Sequence, residues 1–140
     1  MLIAVLAMIG MFIALYLTLF KLGKIGALSC SIGSCETVNT SRWANFMGLP
    51  VAAWGVFFYL DVLILALIGI QPLFARKPVV SWLLALWSGF GFLFSAWLTY
   101  LELFRIHATC IWCVTSAVVV SLIFILSVLD LRDLGRARRP

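Results

Sequence analysis

Residues 79–101 of this 140-residue chain read VVSWLLALWSGFGFLFSAWLTYL and contain no charged side chain. An apolar run of this length can cross a hydrocarbon core, which is about 30 Å thick and requires about 20 helical residues. Within lipid the backbone polar groups must bond to one another, so a spanning segment is expected to be an α-helix. The stretch therefore predicts a transmembrane helix.

Three further runs are similarly long and apolar, and they cover residues 2–20, 50–70, which includes the single charge Asp61, and 110–129. The chain is 65% hydrophobic and 11% charged, whereas a soluble domain contains about 25% charged residues. The composition therefore predicts an all-α integral membrane protein built as a four-transmembrane-helix bundle. Residues 1–140 are expected to form one membrane domain, in which residues 130–140 are a basic cytoplasmic tail.

A long polar loop, residues 21–49, separates the first two predicted spans. Within it, residues 40–48 read TSRWANFMG and fit a short helix that lies on the membrane surface. An irregular loop fits the same residues equally well.

The basic residues indicate the orientation of the bundle. Six lie on the side of the termini and the 71–78 turn: Arg76, Lys77, Arg132, Arg136, Arg138 and Arg139. Four lie on the other side: Lys21, Lys24, Arg42 and Arg105. The positive-inside rule then predicts a multi-pass protein of the cell (inner or plasma) membrane with both termini in the cytoplasm. The same basic tail does not indicate nucleic-acid binding, since no soluble domain remains to carry it.

The four cysteines fall into two pairs that are expected at one membrane face. Cys30 and Cys35 lie in the long loop, and Cys110-Ile-Trp-Cys113 opens the last predicted helix. Four crossings put both pairs on the extracytoplasmic side, where disulfides persist. A Cys-x-x-Cys at a helix N-terminus is typical of redox sites, because the helix dipole favours the thiolate.

The spacing also predicts an order of electron transfer. Cys113 lies one helical turn deeper than Cys110, about 4.5 Å along the axis, so Cys110 can meet the mobile loop pair while Cys113 faces a lipid-soluble acceptor. The helix dipole contributes only about 0.3–1 kcal/mol to thiolate stability, so the acceptor site must contribute to activation. Two structural disulfides, or a zinc site built from the four cysteines, are the alternatives. We expect no metal.

The motifs resemble the vitamin K epoxide reductase (VKOR) family over about residues 5–129. They are the loop pair followed by Ser41-Arg42-Trp43, then Gly48-Leu-Pro50 with Trp54-Gly55 and Tyr59, then Cys110-x-Trp-Cys113-Val-Thr-Ser116. The resemblance implies a four-helix bundle around a quinone, which could be ubiquinone, menaquinone or vitamin K. It also implies that Cys30, Cys35, Cys110 and Cys113 are catalytic, with Cys113 closest to the quinone and Ser41 near the active site.

Bacterial relatives in this family oxidise a thioredoxin-like or DsbA-like thiol protein, which here would be a separate chain. Trp54, Phe58, Tyr59, Trp112 and Ser116 are the expected quinone contacts, although aromatic belts at membrane interfaces give a similar pattern. Vertebrate members carry an asparagine and a tyrosine at the positions of Val51 and Ala117. The resemblance therefore favours a quinone-dependent thiol oxidoreductase that supports disulfide-bond formation. Vitamin K quinone or epoxide reduction and a non-enzymatic membrane protein with structural disulfides remain open.

Three other polar positions are candidates for a role in the site. Asp61 is the one charge inside a predicted span, and either a functional or an internally hydrogen-bonded position suits it. His107 could carry a proton during quinone reduction or be a solvated loop residue. Glu102 and Arg105 are expected to form a surface pair.

Overall fold

The computed structural model describes residues 2–23, 45–75, 77–107 and 111–138 of the chain. The predicted site residues outside these ranges are Cys30, Cys35, Ser41 and Cys110. Cys113 lies within them, as do all five predicted quinone contacts.

Four helices in the described ranges are long and apolar enough to cross a membrane. They are α1 (Leu2–Lys21), α2 (Val51–Ile70), α3 (Pro78–Leu101) and α4 (Ile111–Arg138). Pro50 directly precedes α2 and Pro78 is the first residue of α3, positions where a missing backbone N–H costs no helical hydrogen bond. The predicted four-helix membrane bundle is confirmed.

Small residues let aromatic rings pack between the helices. A Cβ atom on Gly10 of α1 would overlap the ring of Tyr59 on α2, and a Cβ atom on Gly91 of α3 would overlap the ring of Phe58. Lipid tails are as apolar as the helix surfaces, so close packing of this kind supplies much of the attraction between spans. Gly89 of α3 lies beside the Phe124 ring of α4 and packs in the same way.

A small β-hairpin precedes α2. Its strands, β1 (Asn45–Phe46) and β2 (Leu49–Pro50), are antiparallel and are joined by Met47 and Gly48, both with positive φ. The indole Nε1 of Trp54 donates a hydrogen bond of 3.0 Å to the Phe46 carbonyl oxygen, which fixes the hairpin to the first turns of α2. The surface helix considered for residues 40–48 is therefore wrong over residues 45–48, while residues 40–44 lie outside the described residues.

The far end of α3 continues beyond the predicted span. A π-helical turn, Glu102–Ile106, follows Leu101 directly. His107 ends it with a φ of 55° and donates its backbone N–H to the Glu102 carbonyl oxygen. Single π-helical turns are frequent at functional sites because they alter the direction in which side chains point.

The predicted basic tail is mostly helical. Helix α4 extends to Arg138, whereas the apolar run ends at residue 129. The hydroxyl of Ser81 on α3 donates a 2.7 Å hydrogen bond to the Asp130 carboxylate, which ties the first residue beyond the apolar run to the bundle. Leu131 and Leu134 continue the helical pattern of α4 beyond the apolar run.

Replacing Gly10 by Ala is expected to lower the free energy of unfolding by about 1–3 kcal/mol, the usual cost of overpacking a core. The Tyr59 ring cannot move away from the new methyl group without disturbing its hydrogen bonds to Ser116. Thermal unfolding in detergent micelles measures the change. Gly135→Ala is the matched control, because a Cβ atom there meets open space and alanine favours a helix. If Gly10→Ala, like the control Gly135→Ala, is as stable as the unaltered protein or more stable, the packing role of Gly10 is contradicted.

Candidate active site

A cavity of about 490 Å³ lies at the end of the bundle that carries the hairpin and the π-helical turn. All four helices contribute to its wall, and β1 and the turn between the strands contribute Phe46 and Met47. Most of the wall is apolar. Phe57 of α2 and Phe90 of α3 line the cavity and are more than half exposed, so the cavity reaches the outer surface of the bundle between these two helices.

Cys113 contributes to the wall of this cavity from the first turn of α4. Its side chain is half-buried and packs against the buried pair Ile13 and Leu17 of α1. The thiol group therefore lies on an apolar chamber that a lipid-soluble molecule can enter from the membrane. The other three cysteines lie outside the described residues, so their distances to Cys113 are not part of this geometry.

Aromatic rings form a continuous row along one side of the cavity. Phe58, Trp87, Phe90 and Phe94 follow one another with centroid distances of 6.1, 5.7 and 6.5 Å and nearly parallel ring planes. Residues 87, 90 and 94 are three and four positions apart on α3 and so share one face of that helix. Phe46 of the hairpin meets the end of the row, with its centroid 6.3 Å from Phe94. A flat aromatic ligand could stack against such a wall.

Four of the five predicted quinone contacts line the cavity, and they are Trp54, Phe58, Tyr59 and Ser116. The fifth, Trp112, is placed elsewhere and packs against Tyr16, with ring centroids 5.2 Å apart. Trp112 is not among the cavity-lining residues, whereas its neighbour Cys113 is, because successive residues of an α-helix point about 100° apart. Val51 and Ala117 also line the cavity.

Tyr59 and Ser116 form a polar pair in this apolar wall. Tyr59 is only 3% exposed, and its phenol oxygen lies 2.7 Å from the Ser116 Oγ and 3.0 Å from the Ser116 carbonyl oxygen. Ser116 follows Cys113 by three residues on α4, so the pair lies about one helical turn deeper than the thiol. The contact also joins α2 to α4 next to the cysteine.

Charged side chains occupy other parts of the wall. Lys21, Asp61 and Glu102 all line the cavity. Glu102 is 5% exposed, so the surface pair predicted for Glu102 and Arg105 is wrong, and Arg105 alone faces outward. The sequence carried one signal for Glu102 that the prediction missed: residues 98, 102 and 106 are four apart, and all three line the cavity.

One supporting candidate that the structure describes, His107, is not brought to the cavity. His107 is exposed and is not among the cavity-lining residues, which favours its alternative interpretation as a solvated residue. Ser41 lies outside the described residues. Asp61, the one charge inside a predicted span, shares the cavity wall with Cys113.

These features define a class of protein: a multi-pass membrane bundle that exposes a cysteine to an apolar chamber reached from the lipid. The model of the vitamin K epoxide reductase family matches residues 1–128 of the chain. The chain belongs to this family. Membership makes it, in general, an oxidoreductase of quinone- or epoxide-linked thiol chemistry that resides in a membrane.

Replacing Phe90 by Ala is expected to weaken the binding of a lipophilic quinone about 2- to 10-fold, since one aromatic contact contributes about 0.5–1.5 kcal/mol. Phe90 stacks on Trp87 inside the aromatic row. Phe92→Ala is the matched control, because Phe92 also stacks on a neighbouring ring, that of Phe124, but does not line the cavity. Equilibrium binding of a short-chain ubiquinone analogue measures both constants. A larger loss for Phe92→Ala would contradict the assignment of the cavity.

Proposed function

We propose that this protein is a quinone-dependent thiol oxidoreductase that supports disulfide-bond formation. The thiols of Cys110 and Cys113 are oxidised to a disulfide, and their two electrons and two protons reduce a membrane quinone to the hydroquinone. A reduced protein dithiol then returns the pair to the thiol form through Cys30 and Cys35. The net reaction moves electrons from a protein partner to the quinone pool.

One observation carries the proposal: Cys113 lines an apolar cavity of about 490 Å³ whose wall includes a row of aromatic rings. A water-soluble oxidant would gain little from such a wall, whereas the flat ring of a quinone can stack on it. The opening between α2 and α3 suits a substrate that arrives through the lipid. Ubiquinone, menaquinone and vitamin K share this chemistry, and any of them fits the proposal.

The proposed relay places the two cysteine pairs in sequence. Cys30 and Cys35 accept electrons from a separate thioredoxin-like or DsbA-like protein, and one of them exchanges with Cys110 through a mixed disulfide. Cys113 delivers the electrons to the quinone, which agrees with its position on the cavity wall. The proximity of both loop cysteines to Cys110 is part of the proposal and follows from the order of the spans.

The proposed sidedness follows from charge. Lys77, Arg132 and Arg136 are exposed at the end of the bundle opposite the cavity. Basic residues favour the cytoplasmic face, so we place both termini there and the cysteines on the extracytoplasmic side of an inner or plasma membrane. On this proposal residues 1–140 form one membrane domain, and residues 130–140 are its basic cytoplasmic tail, of which residues 130–138 extend α4.

Epoxide reduction is the second candidate within the same family. Val51 and Ala117 line the cavity without offering a hydrogen bond, at positions where vertebrate members carry an asparagine and a tyrosine. This difference favours the thiol oxidase over the epoxide reductase. A membrane protein whose cysteines form only static disulfides is the third candidate, and the same experiment separates all three.

Replacing Cys113 by Ser is expected to reduce quinone turnover by at least about 100-fold, because the electron-donating thiol is then missing and its loss leaves no dithiol to oxidise. The assay supplies a reduced thioredoxin-like protein and a soluble quinone and follows formation of hydroquinone. Ser121→Ala on the same helix serves as the control for folding and insertion, since Ser121 does not line the cavity.

Undiminished turnover by Cys113→Ser would overturn the thiol-oxidase proposal. A parallel reaction with vitamin K epoxide tests the second candidate, and faster turnover of the epoxide than of quinones would favour it. If the unaltered protein reduces neither substrate class with a reduced partner present, the interpretation as static disulfides is supported instead.

A further inference from the structure

The hydroxyl of Ser116 is bonded differently from its neighbours on α4. Thr115, Ser121 and Ser127 each donate to the carbonyl oxygen four residues earlier, at 2.7–2.8 Å. Such bonds are the common arrangement for hydroxyls inside a helix. Ser116 instead meets the Tyr59 hydroxyl of α2 at 2.7 Å. A hydroxyl that is not hydrogen-bonded to the backbone of its own helix can exchange one hydrogen-bond partner for another at a low cost in free energy.

The hydrogen atoms of the pair can be arranged in two ways. A carbonyl oxygen only accepts, so the 3.0 Å contact with the Ser116 carbonyl requires Tyr59 as donor, and the Ser116 hydroxyl then donates to the Tyr59 oxygen. Alternatively, Tyr59 donates to the Ser116 Oγ, which frees the Ser116 hydrogen for a third group. In the first arrangement the Ser116 Oγ can accept a hydrogen bond from a ligand, and in the second it can donate one.

The Tyr59–Ser116 pair lies where a bound ligand can select either of the two hydrogen-atom arrangements. Tyr59, Ser116 and Cys113 line the same cavity, and Ser116 is one helical turn from the cysteine. Val51 and Ala117, on the same wall, are apolar and can neither donate nor accept a side-chain hydrogen bond. A carbonyl group that enters near Cys113 therefore meets Ser116 as a hydrogen-bonding side chain close to the thiol.

We propose that Ser116, oriented by Tyr59, binds one oxygen of the quinone substrate in both of its redox states. The oxidised substrate presents a carbonyl oxygen, to which Ser116 donates while Tyr59 donates to Ser116. The reduced product presents a hydroxyl group, whose hydrogen the Ser116 Oγ accepts once the pair has changed arrangement. Ser116 is thus a substrate-binding residue and Tyr59 a positioning residue. This inference depends on the proposed quinone chemistry and extends it to a specific polar contact.

The test compares Ser116→Ala, Ser116→Thr, Tyr59→Phe and the double variant Ser116→Ala/Tyr59→Phe in the full-length protein. Ser116→Ala is expected to raise both the KM for the quinone and the inhibition constant of the hydroquinone about tenfold, the effect of one lost hydrogen bond. Ser116→Thr keeps the hydroxyl and should stay within about threefold of the unaltered protein. The KM for the protein partner should not change in either variant.

Tyr59→Phe tests the positioning role. Without its partner, the Ser116 hydroxyl is expected to turn to the carbonyl oxygen four residues earlier, as its neighbours do, so the KM for the quinone should rise about 3- to 10-fold. The double variant should then resemble Ser116→Ala, because both changes remove the same contact. Ser121→Ala is the matched control and should leave all constants unchanged, since that hydroxyl is bonded within α4 and away from the cavity.

An unchanged KM for the quinone in Ser116→Ala would overturn the assignment. A rise for the quinone with an unchanged hydroquinone constant would overturn the two-way hydrogen bond and leave Ser116 as a fixed donor. Additive effects in the double variant would overturn the role of Tyr59. Failure of the quinone chemistry itself is recognised separately, because either the unaltered protein would then reduce no quinone or Cys113→Ser would retain full turnover.

Discussion

The ring of Tyr59 occupies the space that a glycine at position 10 leaves open between α1 and α2, and its hydroxyl reaches α4 at Ser116. This one side chain therefore joins three of the four spans. Because lipid provides little hydrophobic drive for helix association, such close contacts determine how the spans sit against one another. The same contact lies one turn below Cys113, so the packing of the bundle and the position of the thiol depend on it together.

The cavity results from the way the remaining surfaces meet. Helix α2 packs closely on α1, and α3 packs closely on α4, while α2 and α3 share a smaller contact. Aromatic rings line much of the space between α2 and α3. The hairpin covers the end of this space, where Trp54 bonds to the Phe46 carbonyl oxygen and Phe46 contacts Phe94. A chamber built in this way reaches the outer surface between α2 and α3 and is lined at its end by the hairpin residues Phe46 and Met47.

The sequence predicted the spans well because an apolar segment within lipid must satisfy its backbone polar groups internally, which a helix does. It predicted the hairpin poorly, since Met47 adopts a positive φ that methionine rarely takes, and its apolar neighbours also suited a helix face. The burial of Glu102 was missed despite the four-residue spacing of residues 98, 102 and 106, because glutamate is almost never fully buried unless it is paired. Trp112 lies between two cysteines, and the sequence was compatible with a place either in the quinone pocket or in an aromatic belt at the membrane interface. Only the rotation of α4 could show that it faces Tyr16 while Cys113 faces the cavity.

The most direct measurement of the central claim is a single turnover without any protein partner. A protein with Cys30 and Cys35 replaced by Ser is reduced, freed of reductant and mixed with a soluble quinone, and hydroquinone and disulfides are then counted. Our account predicts one hydroquinone for each new disulfide between Cys110 and Cys113, identified by mass spectrometry of the alkylated peptides. Formation of hydroquinone while both thiols remain free, or oxidation of the pair without hydroquinone, would contradict it.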